Sequence, residues 1–258
     1  MSFSIDSAQL SHSPRRSVVQ IYFPAHHRTL SYYNDRFDLQ CGDMVYVEGK
    51  LKGIRGFVRE INYNFKIKLS DYKRVIAVVD TSVSGRFYFL TDSHLITFDR
   101  KALPVSKASL WFNPPADNEE DFITGSDNTS FAPDTYYTLD ISPASIDHGE
   151  EYYLNNHVKY LCLDDMNGYA IVEGRECYEF TFNYENASVS HPACSCFCGS
   201  NCKHLVAAMM QLDNTLKLIH EHYTVEFNRT GYFALISKES FFSFAISGRK
   251  SGSLTLLS

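Results

Sequence analysis

Four of the seven cysteines crowd between Cys194 and Cys202, and a histidine follows at once, in the order Cys194-Ser195-Cys196-Phe197-Cys198-Gly199-Ser200-Asn201-Cys202-Lys203-His204. Thiolate sulfur and imidazole nitrogen are the donors that Zn2+ takes in structural sites, four to an ion, tetrahedrally and at ~2.0–2.3 Å. Cys194 and Cys196 are two residues apart, so on an extended segment their sulfurs point the same way. A glycine-containing loop can then fold Cys202 and His204 back to complete the set. Leu205, Ala208, Met209, Leu212, Leu216 and Ile219 recur at helical spacing, which places the second pair where a helix begins and its positive end favours a thiolate. The ligand set is therefore Cys194, Cys196, Cys202 and His204, holding one structural Zn2+.

Three other chemistries compete for these residues. Buried cysteines beside a core histidine would not need to cluster. Thiol redox chemistry needs solvent-reachable sulfurs activated at a helix start. A Cys202–His204 catalytic dyad lacks a third, orienting group. Cys198 stays open: it can replace Cys194 or Cys196 as a ligand, or remain the spare thiol that the chosen set leaves it. Cys41, Cys162 and Cys177 are scattered and receive no role.

The elements around the cluster can be read from patterning. Ser142-Pro143 opens a helix running to about Asn156, with proline in its first turn. Strands follow at Val158 to Leu163 and Tyr169 to Glu173, flanking the turn Asp164-Asp165-Met166-Asn167-Gly168, and then at Tyr178 to Tyr184 and Ser188 to Cys194. Beyond the helix that starts at Cys202, the aromatic and β-branched stretch from Tyr223 to Leu257 is predicted to return to strands.

Cys-x-Cys, a short loop, Cys-Lys-His and an apolar helix together resemble the SWIM zinc finger, a ββα unit. The resemblance extends upstream through His148-Gly149-Glu150-Glu151-Tyr152-Tyr153, Val158, Gly168 to Gly174 and Tyr178-Glu179-Phe180, and covers about residues 142 to 222. It implies that Cys194, Cys196, Cys202 and His204 are the ligands. The loop between the pairs is near the family's short limit, and Cys198 within it departs from the pattern.

The first third of the chain differs in charge. Between Arg15 and Arg74 basic residues outnumber acids two to one, whereas from Asp117 to Glu185 only Lys159 and Arg175 are fixed cations, within a net charge of −6. Short alternating runs at Met44 to Val47, Gly56 to Ile61, Phe65 to Leu69, Val75 to Val79, Arg86 to Leu90 and His94 to Phe98 predict a small all-β domain. The stretch Gly42 to Val58, with Gly49, Gly53 and Gly56, resembles a KOW-type segment of an SH3-like barrel. Taken with Val19 to Pro24 and Arg28 to Tyr32, it is also similar to the small N-terminal domain of the primosomal helicase. Both resemblances imply nucleic-acid contact. Lys50, Lys52, Arg55, Lys66 and Lys68 would supply the phosphate-facing charge, and Tyr63 and Phe65 the stacking. Equally, the glycines can serve only a hairpin and the lysines only its solvated face.

The expected class is α+β: a tail at 1–17, a small β-barrel at 18–112, an acidic linker at 113–141, and a zinc-finger region with terminal strands at 142–258. A 44% hydrophobic, 21% charged composition is that of an ordinary globular protein. No apolar run reaches the ~20 residues of a membrane helix, and Met1 to Asp6 lacks a signal-peptide pattern, so a cytoplasmic location is expected. No paired carboxylates, triad order or P-loop ending indicates an enzyme or a small-molecule substrate. The expected role is a zinc-stapled module that binds DNA or RNA or associates with a nucleic-acid-handling protein; the alternative is a protein-interaction adaptor in which zinc only holds the fold.

Overall fold

The computed structural model describes residues 14–116, 128–198, 201–246 and 252–257. The chain forms two compact units that divide between Val79 and Asp80.

In the first unit, β1 (Ser17–Phe23), β2 (Arg28–Asn34), β3 (Met44–Val47), β4 (Gly56–Asn62) and β5 (Val75–Val79) make a five-stranded sheet in the order β2-β1-β4-β3-β5. Alternation buries Val19, Ile21, Phe23, Val45, Val47, Val58 and Val75 on one side. Gly49 and Gly53 take positive φ in the turn after β3, but Gly56 does not: a Cβ there would lie 2.3 Å from Ile21 Cγ2. Its role is close approach rather than backbone freedom. The expected barrel is not closed. One isolated bridge, Tyr33 to Arg74, links β2 to the chain entering β5, and the ladder stops there because the outer residues Arg28 to Ser31 of β2 are solvent-exposed. Phe65 to Leu69, expected as a strand, is an irregular segment leading into a short 3-10 turn at Leu69–Asp71.

The second unit is built on a nine-stranded sheet in the order β14-β6-β7-β13-β9-β10-β11-β12-β8. Its strands are β6 (Gly85–Phe89), β7 (His94–Thr97), β8 (Ser130–Phe131), β9 (Val158–Asp164), β10 (Asn167–Glu173), β11 (Cys177–Glu185), β12 (Ser188–Cys194), β13 (Tyr232–Ser237) and β14 (Leu254–Leu257). All pairs are antiparallel except β14 with β6. The helices are α1 (Val105–Phe112), α2 (Pro143–Leu154), α3 (Lys203–His222), α4 (Thr224–Thr230) and α5 (Lys238–Phe241). Thus β6 and β7, expected in the first domain, pair into the second sheet through β13. The expected linker at 113–141 is partly structured: β8 extends β12, and Phe131 and Ile141 are buried, while 117–127 lie outside the described residues. So does most of the expected tail. The expected C-terminal strands are interrupted by α4, which Gly231 ends in the left-handed conformation with its amide on Phe227 O at 2.7 Å.

The core of this unit lies between the sheet and α3, whose apolar stripe, Leu205, Ala208, Met209, Leu212 and Ile219, meets Leu161, Ala170, Val172, Phe180 and Phe233. Helix α2 starts as its sequence predicts: the Ser142 hydroxyl accepts the Ser145 amide at 3.2 Å and Pro143 follows. It is seated against α3 by Gly149, where a Cβ would stand 2.4 Å from Val206 Cβ and 2.9 Å from Lys203 O. Gly149→Ala is therefore expected to destabilise the second unit by about 1–3 kcal/mol through overpacking, although alanine is by itself the better helix former by about 1 kcal/mol. Denaturant unfolding of Gly149→Ala, Val206→Ala and the double variant checks this. The clash account requires the pair to be less destabilised than the two singles added together.

Candidate metal centre

Strand β12 ends at Cys194, opposite Phe180 of β11, and the ladder is prolonged by the Ser195 amide on Glu179 O and the Glu179 amide on Ser195 Oγ, each 2.9 Å. Those two bonds hold Ser195 against β11 where the chain bends after the strand, and the bend at Ser195 and Cys196 brings the Cys196 sulfur beside that of Cys194. Cys202 is the residue before α3 and His204 lies in its first turn. The donor atoms of Cys194, Cys196, Cys202 and His204 all lie within 4.8 Å of one another.

The separations suit a tetrahedral ion. His204 Nδ1 stands 3.7 Å from both Cys194 Sγ and Cys202 Sγ, and donors bound at ~2.3 Å (sulfur) and ~2.0–2.1 Å (nitrogen) about a tetrahedral centre are about 3.6 Å apart. The three thiols are close enough to shift one another's protonation. Hydrogen bonding to Cys202, with burial adding to it, drives the Cys194 thiol far above its usual range. Cys196 is pushed up to about 11 by burial. Cys202 is pulled down to about 4 by the Cys194 thiol, by His204 and by the Leu205 amide in the first turn of α3, against its own burial. Three sulfurs this close ionise together only around a cation, which a dication supplies. The residues present fit a Cys3His metal ion.

The imidazole is held by its surroundings. Tyr178 stacks on it at 4.3 Å between ring centres and Tyr152 of α2 meets it edge-on at 5.8 Å. Tyr152 is itself stacked on His157 at 4.5 Å and accepts a hydrogen bond from Lys203 Nζ at 2.7 Å, and His157 Nδ1 is tied to Glu173 O at 2.8 Å. Gly174 leaves room for this wall: its Cβ would fall 3.2 Å from the Tyr152 hydroxyl and 3.5 Å from His204 Nε2. Nδ1 faces the sulfurs and is the nitrogen that a metal would take, while Nε2 is buried without a hydrogen-bond partner among the described residues. In the sequence, Tyr152, Gly174 and Tyr178 stand out only as parts of a resemblance; the structure assigns them the walls of the histidine. His157 has no sequence signal of its own.

Cys198 is exposed and outside the donor group, and the preceding Phe197 is 99% exposed. Of the basic residues singled out in the first unit, Lys50 and Lys52 are exposed in the turn between β3 and β4, Arg55 is half-buried just before β4, and Lys66 and Lys68 are exposed in the segment after it. Lys73 joins the turn, its Cγ 3.2 Å from a Cβ built on Gly49. Tyr63 already carries the Arg15 guanidinium over its ring at 4.0 Å, and Phe65 packs edge-on against Tyr33. Among the described residues no helix is long and apolar enough to cross a membrane. No family model, curated protein or solved structure matches the chain.

Metal content tests the centre. Protein made in zinc-supplemented medium is expected to hold about one equivalent, and chelation is expected to unfold the second unit, because structural zinc contributes folding free energy. Cys202→Ser should lose both metal and stability, whereas Cys198→Ser should retain both. Elemental analysis with circular dichroism reads the two effects; a metal-free wild type as stable as the zinc-supplemented protein would rule the centre out.

Proposed function

We propose that this protein is a zinc-stapled binding module: Cys194, Cys196, Cys202 and His204 hold one structural zinc ion of the SWIM type, and the basic face of the first unit contacts DNA or RNA. The convergence of four protein donors carries the zinc part of the reading. Four protein ligands fill a tetrahedral shell and leave no position for a substrate, the mark of a structural rather than a catalytic site. The charge on Lys50, Lys52, Lys66 and Lys68, exposed around one turn and one loop, supports the nucleic-acid part.

Fluorescence anisotropy with single- and double-stranded DNA and RNA tests it. Binding should weaken with salt, and the logarithmic slope should become shallower by about 0.7–0.9 for each phosphate-neutralising lysine removed. Replacing Lys50, Lys52, Lys66 and Lys68 together by glutamate should abolish binding without disturbing the zinc. Absence of any salt-sensitive binding at low ionic strength would eliminate the nucleic-acid role.

Phe197 favours a second reading, a protein-interaction adaptor. A phenylalanine almost wholly in water directly after Cys196 offers an anchor for a protein partner. Partners recovered from the native cell that survive nuclease treatment and no longer bind Phe197→Ala would establish this reading instead.

A further inference from the structure

A second site lies on the other side of β13 from the finger strands. A cavity of about 390 Å³ is lined by Arg86, Tyr88, Phe98, Arg100, Lys101 and Arg229, and by Asp99 and Glu226 with them. The four cations come from separate parts of the second unit: Arg86 from β6, Arg100 and Lys101 from the segment after β7, and Arg229 from the last turn of α4.

Their partners differ. Arg100 is fixed in place, its Nε 2.6 Å from Asp164 at the end of β9 and its Nη2 2.9 Å from Asp165 in the turn that follows. The side chains of Arg86, Lys101 and Arg229 make no hydrogen bond or ion pair among the described residues. Arg86, Lys101 and Arg229 share one cavity and outnumber the two carboxylates that line it with them, Asp99 and Glu226, so like charges there are only partly offset. An anion relieves that repulsion. The floor is aromatic: Tyr88 and Phe98 sit 5.8 Å apart and both pack on Tyr223, at 5.2 and 5.6 Å. Phe98 is buried and Tyr88 half-exposed, so a planar group can lie on Tyr88 without disturbing the core.

The two carboxylates shape the ligand further. Asp99 Oδ1 is occupied by the Lys101 amide at 2.9 Å, and Glu226 is half-buried on α4. They leave the lining with a surplus of positive charge yet offer acceptors to hydroxyl or amino donors. A phosphate with a flat ring and neighbouring hydroxyls answers each part of this lining, and the volume falls within the ~300–1,000 Å³ usual for small-ligand sites. We propose that this cavity binds a nucleoside monophosphate, with phosphate on Arg86, Lys101 and Arg229, the base on Tyr88, and ribose hydroxyls toward Asp99 or Glu226.

Isothermal titration of the zinc-loaded full chain with AMP, GMP, CMP and UMP, and separately with adenosine and inorganic phosphate, tests the proposal. At least one monophosphate should bind saturably and more weakly as salt rises, and both adenosine and phosphate should bind less well than that monophosphate. Arg86→Glu with Arg229→Glu should weaken binding by about tenfold or more, the loss expected for charge-assisted hydrogen bonds. Both positions are exposed, and unchanged circular dichroism and zinc content would show that the variant folds. Lys101→Glu provides an independent second variant. The first-unit variant lacking Lys50, Lys52, Lys66 and Lys68 should bind the monophosphate as the parent does, which separates this site from the nucleic-acid reading. No saturable binding at millimolar ligand, binding unchanged in both cavity variants, phosphate binding as tightly as any monophosphate, or an oligonucleotide that needs Arg86 and Arg229 while no mononucleotide binds would each overturn it.

Discussion

The second unit depends on joining the end of a strand to the start of a helix at a single point. Cys194 and Cys196 lie at the exit of β12, Cys202 and His204 at the entry of α3, and their donor atoms lie close enough to share one ion. Without a cation this closeness is unfavourable, because three sulfurs compete for protons in a half-buried space. With one, the same geometry fixes α3 over the sheet. Apparent binding energies of structural zinc, ~10–16 kcal/mol, are as large as the whole net stability of a typical domain, ~5–15 kcal/mol. A zinc ion held there would rank with the apolar core, and α2, Gly149 and the Tyr152–His157–Tyr178 wall hold the histidine beside the three sulfurs.

Charge is arranged against the overall balance of the chain. The net value is negative, yet the first unit exposes lysines around the turn after β3, and the second gathers arginines and a lysine around an aromatic-floored cavity. The former cluster is local in sequence and can form from a hairpin and one loop. The latter exists only when α4 is folded beside β6 and the end of β7. Local charge of this kind governs which partners approach, whereas net charge chiefly governs solubility.

What could be read from sequence followed the range of the interactions. The gathering of Cys194, Cys196, Cys202 and His204 was legible because their spacing acts over a few residues, and so were the Ser142-Pro143 helix start and the turn at Asp164 to Gly168, each set by local backbone chemistry. Strand membership was not: β6 and β7 have ordinary strand patterns, and only the pairing of β7 with β13 and of β6 with β14, both far along the chain, puts them in the second sheet. Phe65 to Leu69 alternates like a strand, but the packing of Phe65 on Tyr33 and the turn at Leu69 prevail. Thr224 to Thr230 is short and rich in β-branched residues, so its helix comes from following α3 and from the Gly231 stop. The barrel expected from a resemblance lacked the closing ladder, since one bridge at Tyr33 does not continue along the exposed half of β2.

Strand β13 sits between β7 and β9 and is the one connection in the sheet between β14-β6-β7 and the strands that carry the finger. During synthesis, the helix pair, the hairpins and all four metal ligands emerge before residues 232 to 237 do. Until that late segment inserts, β7 and β9 each present an unpaired edge, and two half-sheets stay open to wrong partners. Pairing across such sequence distances is slow and exposes edges meanwhile. The edges of β7 and β9 are thus protected last, by a segment synthesised after both of them.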